Sequence, residues 1–183
     1  MHRVQVLDAR GISRALERMA AELVEQVGDE KLLYFVGVQT RGVPLARRLA
    51  NLVADATGHE PPVGALDISL YRDDVGPWRA AHQQPILRDT ELPVAIDKKV
   101  ICLVDDVLYT GRTVRAALDT LMDYGRPQAI RLAVLIDRGH RELPVAADYV
   151  GRVVPTSRAE DVQVHLKESD GEEGVWIAKE VGK

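Results

Sequence analysis

Three short runs of the chain are almost wholly apolar: LLYFVGV (32–38), KVICLV (99–104) and AIRLAVLI (129–136). Runs of this length and composition read as strands buried on both faces. Around them the period changes. Ile12, Leu16, Met19, Ala20, Leu23, Val24 and Val27 recur at helical spacing, with Ser13 the expected cap. Pro44 falls near the first turn of a second helix, which carries Leu45, Leu49, Leu52 and Val53 inward. Val114, Ala117, Leu118, Leu121 and Met122 mark a third, ended by Gly125 and Pro127. Strands alternating with helices imply an α/β fold, a mostly parallel central sheet flanked by helices on both faces. GALDISLY (64–71) alternates as a further strand. YVGRVV, VQVHL and VWIA read as short strands near the C-terminus, with SDGEEG (169–174) a hairpin-like turn. Residues 72–97 are polar, contain proline and lack a helical period, so they form a long loop or hairpin.

A chain of 183 residues that is 46% hydrophobic is long and apolar enough for one domain, 1–183, with a real core. The single cysteine, Cys102, lies in an apolar run; it excludes an intrachain disulfide and suits a reducing compartment. No apolar targeting stretch follows Met1 and no run approaches a membrane span, so the expectation is a soluble cytoplasmic protein. The formal net charge of -4 offers nucleic acid no general attraction, though it permits a local basic patch.

In parallel α/β sheets, ligands bind beyond the carboxyl ends of the strands. Three polar segments begin at or just after such ends: TRG (40–42), DDVLYTGRT (105–113) and DRGHRE (137–142). Two adjacent carboxylates make little sense for stability alone. Gly111 permits a turn that brings backbone N–H groups close to a ligand, and the loop opens into a helix whose first N–H groups face an anion. Thr110 and Thr113 add hydroxyl donors. Asp105 and Asp106 accept hydrogen bonds from adjacent ribose hydroxyls and sit where positive charge develops on a ribosyl ring. Together these features point to a ribose 5-phosphate. The spacing of a Walker A loop is absent, which disfavours nucleotide hydrolysis.

VICLVDDVLYTGRT (100–113) resembles the phosphoribosyl pyrophosphate (PRPP) signature of type I phosphoribosyltransferases. VGVQTRGVPLARRLA, LDISLYRDD, VDDVLYTGRTVRAALDTLMDYGRP, LAVLIDRGHRELP and ADYVGRVVPTSRAE extend the likeness to one subfamily. These are the PyrR-type pyrimidine operon regulators with uracil phosphoribosyltransferase activity. The resemblance implies a type I phosphoribosyltransferase fold with a small hood and a mobile hairpin loop. It implies a reaction joining uracil N1 to C1 of PRPP, giving UMP and pyrophosphate. The PRPP signature then comprises Cys102, Leu103, Val104, Asp105, Asp106, Val107, Leu108, Tyr109, Thr110, Gly111, Arg112 and Thr113. Within it Asp105 and Asp106 hold the ribose hydroxyls, and the residues from Val107 to Thr113 hold the 5-phosphate. Thr40, Arg41 and Gly42 match the pyrophosphate loop. Tyr71, Arg72, Asp73 and Asp74 open the mobile hairpin, with Arg72 clamping pyrophosphate. Asp137, Arg138 and His140 match the uracil site. Mg2+ is implied, held mainly through PRPP or pyrophosphate rather than by a protein cage. A homodimer or homotetramer is implied as well. Further implied partners are UMP and the leader mRNA of a pyrimidine operon, bound through Arg14, Arg18, Arg141 and Arg152, with Arg158 beside them. Glu17, Ala21 and Ala146 depart from the subfamily pattern at that RNA surface.

Overall fold

In chain order the elements are β1 (His2–Asp8), α1 (Ala9–Val27), β2 (Leu33–Val38), α2 (Gly42–Thr57), β3 (Val63–Leu66) and β4 (Val100–Leu108). There follow α3 (Arg112–Asp123), β5 (Ala129–Asp137), β6 (Tyr149–Val153), β7 (Glu160–His165), α4 (Lys167–Asp170) and β8 (Gly174–Lys179). They come from a computed structural model that describes residues 2–69 and 90–179. Tyr71, Arg72, Asp73, Asp74 and the expected hairpin as far as residue 89 lie outside the described residues.

The apolar runs become the centre of a five-stranded sheet of order β3-β2-β4-β5-β6. Every pairing in it is parallel. Successive side chains of a strand point to opposite faces, and both faces of β4 are covered. Cys102 and Val104 pack with Leu23 of α1 and Leu45 and Leu49 of α2. Ile101 and Leu103 pack with Val114, Ala117 and Leu121 of α3. The expected α/β class, with helices on both faces, holds. A second, antiparallel sheet of order β1-β8-β7 forms the hood.

Four local readings differ from the structure. The cap of α1 is Asp8, not Ser13: the Gly11 N–H donates to Asp8 Oδ1 at 2.7 Å. An aspartate one residue before the helix meets the orphan amides that a serine inside the first turns cannot reach. Strand β1 has no counterpart in the sequence reading, and it pairs with β8, which lies at the far end of the chain. Strand β3 ends at Leu66, where Asp67 turns the chain by accepting from the Ser69 N–H at 2.8 Å. The segment read as a hairpin turn instead begins inside α4, which Gly171 terminates in the left-handed region.

One close approach places the site. A Cβ on Gly42 would lie 2.3 Å from the Val104 carbonyl oxygen. Only glycine lets α2 start this close to β4. Thr40 and Arg41 are thereby brought to the end of the strand that carries the acid pair.

Candidate functional site

Strand β4 does not stop before its acidic residues. It runs to Leu108, and Asp105 pairs in register with Val134 of β5. The carboxylates therefore sit on a rigid ladder. Asp105 is buried, at 7% exposure, and Asp106 is half-buried. Each side chain accepts from the following backbone amide: Asp105 from Asp106 N–H at 2.9 Å, Asp106 from Val107 N–H at 2.8 Å. Burial pushes the Asp106 carboxyl above the ordinary aspartate value, and the Arg41 guanidinium opposes that rise without cancelling it.

A largely polar cavity of about 310 Å³ opens at this point. Its walls are Val38, Gln39, Thr40 and Arg41 from the end of β2, Ile68, and Asp105, Asp106, Val107 and Thr113 from β4 and α3. The Gln39–Thr40 peptide is cis. The acidic pair and the arginine loop, 64 residues apart in sequence for Asp105 and Arg41, thus face one space.

The turn from β4 into α3 has the features needed to meet an anion. Gly111 has a φ of 92°, a conformation that strains other residues, and it caps α3. Thr113 stands in the first helical turn, where amides lack internal partners. The Thr110 carbonyl accepts from Glu142 and Leu143 N–H at 2.9 and 3.1 Å, which fixes the turn against the loop after β5. Arg112 pairs with Glu142 at 2.9 Å across the same junction.

Cys102, Leu103 and Val104 are at most 1% exposed and belong to the core. Their part in the PRPP signature is to build the strand; their side chains cannot touch a ligand, which corrects their placement among the contacting residues. The thiol of Cys102 is pushed far up by burial. Leu108 is likewise buried, at 1% exposure.

Of the uracil-site candidates, Arg138 borders a second cavity of about 340 Å³ between the sheet and the hood, lined with it by Tyr109, Arg158, Ala159, Glu160, Asp161 and Ala178. Arg138 is only 6% exposed. Its guanidinium stacks 4.2 Å over the Tyr109 ring and donates to Thr156 Oγ1, the Ser157 carbonyl and the Glu160 carbonyl. It therefore forms a fixed wall. His140, at a positive φ of 61°, places Nε2 2.5 Å from the Thr156 carbonyl. A carbonyl only accepts, so Nε2 carries the proton and is not a base while that contact holds. Burial opposes ionisation of Asp137, but Arg141 and the Gly139 amide win, and its carboxyl lies below the usual aspartate value.

The RNA-surface candidates divide. Arg14 and Arg18 are exposed on α1, and Arg18 donates to the Val150 and Gly151 carbonyls of β6 at 2.8 and 2.7 Å. Arg152, exposed on β6, donates to the Val6 carbonyl at 2.9 Å. Arg18 and Arg152 thus tie α1 and β1 to β6, and Arg14 lies one turn before Arg18 on the same helix. Arg141 is elsewhere. It pairs with Asp137 at 2.5 Å and donates to the Tyr109, Gly139 and Val145 carbonyls, tying the two site loops together. These internal partners use the side chain as a clamp, apart from the other three arginines.

Sequence reasoning missed Asp170. It lies in α4 of the hood and binds Arg41 in bidentate fashion, at 2.6 and 3.0 Å. No motif announces it, because its partner is 129 residues away.

The chain belongs to the phosphoribosyl transferase domain family, whose model matches residues 2–169. The fold is that of known members. A hypoxanthine phosphoribosyl transferase from Trypanosoma cruzi superposes with a TM-score of 0.73 at 16% identity, covering 97% of this chain and 91% of that one. Within the family, the chain belongs with the bifunctional PyrR proteins. It is 57% identical over 175 residues to Bifunctional protein PyrR of Pelotomaculum thermopropionicum, covering 96% of this chain and 95% of that protein. It is 51% identical over 180 residues to the Thermus thermophilus protein of the same name, covering 98% of each. The family expected from the motifs is the family found.

Proposed function

We propose that the chain transfers the phosphoribosyl group of PRPP to uracil, and that its nucleotide product controls binding of a pyrimidine-operon leader RNA. The observation that carries the catalytic half is the cavity shared by Asp105, Asp106, Thr113 and Arg41. In the reaction a bond forms from uracil N1 to C1 of the ribose, and the C1–oxygen bond to pyrophosphate breaks. The electron pair leaves with pyrophosphate and the ring becomes cationic on the way.

Each group then has a task. The amides at the start of α3, with Thr110 and Thr113, hold the 5-phosphate. Asp105 and Asp106 accept from the ribose hydroxyls and place negative charge beside the cationic ring. Their fixed position on the ladder means they need no reorganisation as that charge grows. Arg41 neutralises the departing pyrophosphate. Uracil occupies the neighbouring cavity, where Tyr109 offers a ring face and the backbone near Asp137, Arg138 and His140 meets the pyrimidine edge.

The donor set at the strand end, carboxylate and hydroxyl oxygen, suits a hard cation such as Mg2+. Among the described residues no group of three or more His, Cys, Asp or Glu side chains is gathered to hold a metal. Mg2+, held mainly through the diphosphate with Asp105 and Asp106 alongside, would supply charge neutralisation for the leaving group.

The regulatory half rests on Arg14, Arg18 and Arg152 at one edge of the molecule, which supply the phosphate contacts. Glu17, on the same helix, reduces the local positive charge. The assembly is a homodimer or homotetramer, to be read by light scattering. Two assays test the proposal: UMP formation from uracil, PRPP and Mg2+, and filter binding of a pyrimidine-leader RNA with and without UMP. Absence of turnover removes the enzyme; RNA binding that is absent or indifferent to UMP removes the regulator.

A further inference from the structure

Arg41 is held by its neighbours in an unusual way for a residue assigned to a leaving group. Its Nε and Nη2 donate to the two carboxylate oxygens of Asp170, at 3.0 and 2.6 Å. Asp170 is itself fixed, since its Oδ2 also accepts from the Leu166 N–H at 2.9 Å. The short helix carrying it is tied to α2 a second time. Arg48 donates to both oxygens of Glu168, at 2.9 and 2.7 Å, and to Glu173 at 2.5 Å. Arg41 and Arg48 are two turns apart, so both project from the same side of α2. The hood thus grips α2 at two points, and only one of them touches the cavity.

The geometry points to Asp170 as a positioning residue for the pyrophosphate-binding arginine, an inference that rests on the reading of Arg41 given above. A guanidinium has a planar fork of donors. With the Nε–Nη2 edge fixed by a carboxylate, the remaining Nη1 edge keeps a constant orientation and remains available to an anion in the cavity. Asp170 also holds the charge in place against Asp106, which attracts the same guanidinium. Without Asp170, Arg41 swings toward Asp106 and meets pyrophosphate in fewer productive orientations. The hood, none of whose described residues lines the phosphate cavity, thereby governs affinity for the leaving group.

The test compares five proteins: wild type, Asp170→Asn, Asp170→Ala, Glu168→Gln and Arg41→Ala. KM for PRPP and the inhibition constant for pyrophosphate are measured, together with KM for uracil. Loss of one charge-assisted hydrogen-bonded pair predicts a roughly tenfold rise in both PRPP KM and pyrophosphate inhibition constant for Asp170→Ala. Asp170→Asn, which keeps one acceptor and the Leu166 contact, falls between it and wild type. KM for uracil stays within about twofold throughout. Glu168→Gln loosens the same helix through Arg48 without touching Arg41 and leaves the PRPP constants unchanged. Three results from the hood variants overturn the inference: equal effects of Glu168→Gln and Asp170→Asn, which mark general loosening; unchanged constants in Asp170→Ala; or a fall in PRPP KM, which makes Asp170 a competitor of the substrate. If Arg41→Ala raises PRPP KM and Asp170→Ala does not, only Asp170 is misassigned. If Arg41→Ala has no effect, the role given to Arg41 fails and this inference fails with it.

Discussion

The end of β4 and the hood turn at α4 approach the same cavity but are held in place by different physics. Asp105 and Asp106 stand on a strand with neighbours on both sides, and the residues beneath them are at most 1% exposed. The hood turn is gripped by ion pairs: Arg41 to Asp170, Arg48 to Glu168 and Glu173. Apolar burial does not depend on the charge state of its residues, whereas surface ion pairs weaken as salt rises and as pH falls far enough to protonate the carboxylate. The difference separates two jobs. The groups proposed to meet developing charge are rigid by construction, and those proposed to orient the leaving-group arginine rest on contacts that can be altered singly.

The largest effect on the core side comes from Phe35, 0% exposed between the sheet and the first two helices. Phe35→Ala costs about 3–5 kcal/mol in urea unfolding and brings activity down with it. Asp106→Asn breaks function without breaking the strand. Turnover falls by roughly 100- to 1000-fold, while Tm is unchanged or higher. The sign of the Tm effect follows from linkage: a carboxyl whose folded pKa is raised favours folding at low pH and opposes it as pH rises through that value, so removing its charge helps at neutral pH. Gly42→Ala, which forces a methyl against the Val104 carbonyl, costs about 1–3 kcal/mol and reduces activity. The smallest effect belongs to the hood. Glu168→Gln, on a half-exposed pair, changes stability by about 1 kcal/mol or less, and the change shrinks in high salt. The Asp170 carboxyl lies below the ordinary aspartate value because Arg41 binds it. Its contribution is therefore complete above about pH 4 and is lost as pH falls through its depressed pKa.

The same contrast explains which parts could be read from residues alone. The apolar runs of β2, β4 and β5 stand out because burial on both faces excludes polar residues from a whole segment. The turn at Thr110–Thr113 stands out because glycine and hydroxyl residues at a strand–helix junction have few other uses. Strand β1 was invisible because only its pairing with β8 makes it a strand. Arg138 and Arg141 were legible as charges but not as bonds. Charge is a property of one residue; the carbonyls that capture these guanidiniums come from loops that only the fold brings together. Asp170 was hidden for that reason as well.

The most direct test is a crystal structure of the full chain grown with UMP. The account predicts the 5-phosphate on the amides and hydroxyls of residues 109–113, the ribose hydroxyls within hydrogen-bond reach of Asp105 and Asp106, and the pyrimidine beside Tyr109 and Arg138. Density for the sugar phosphate at any other place on the molecule contradicts it.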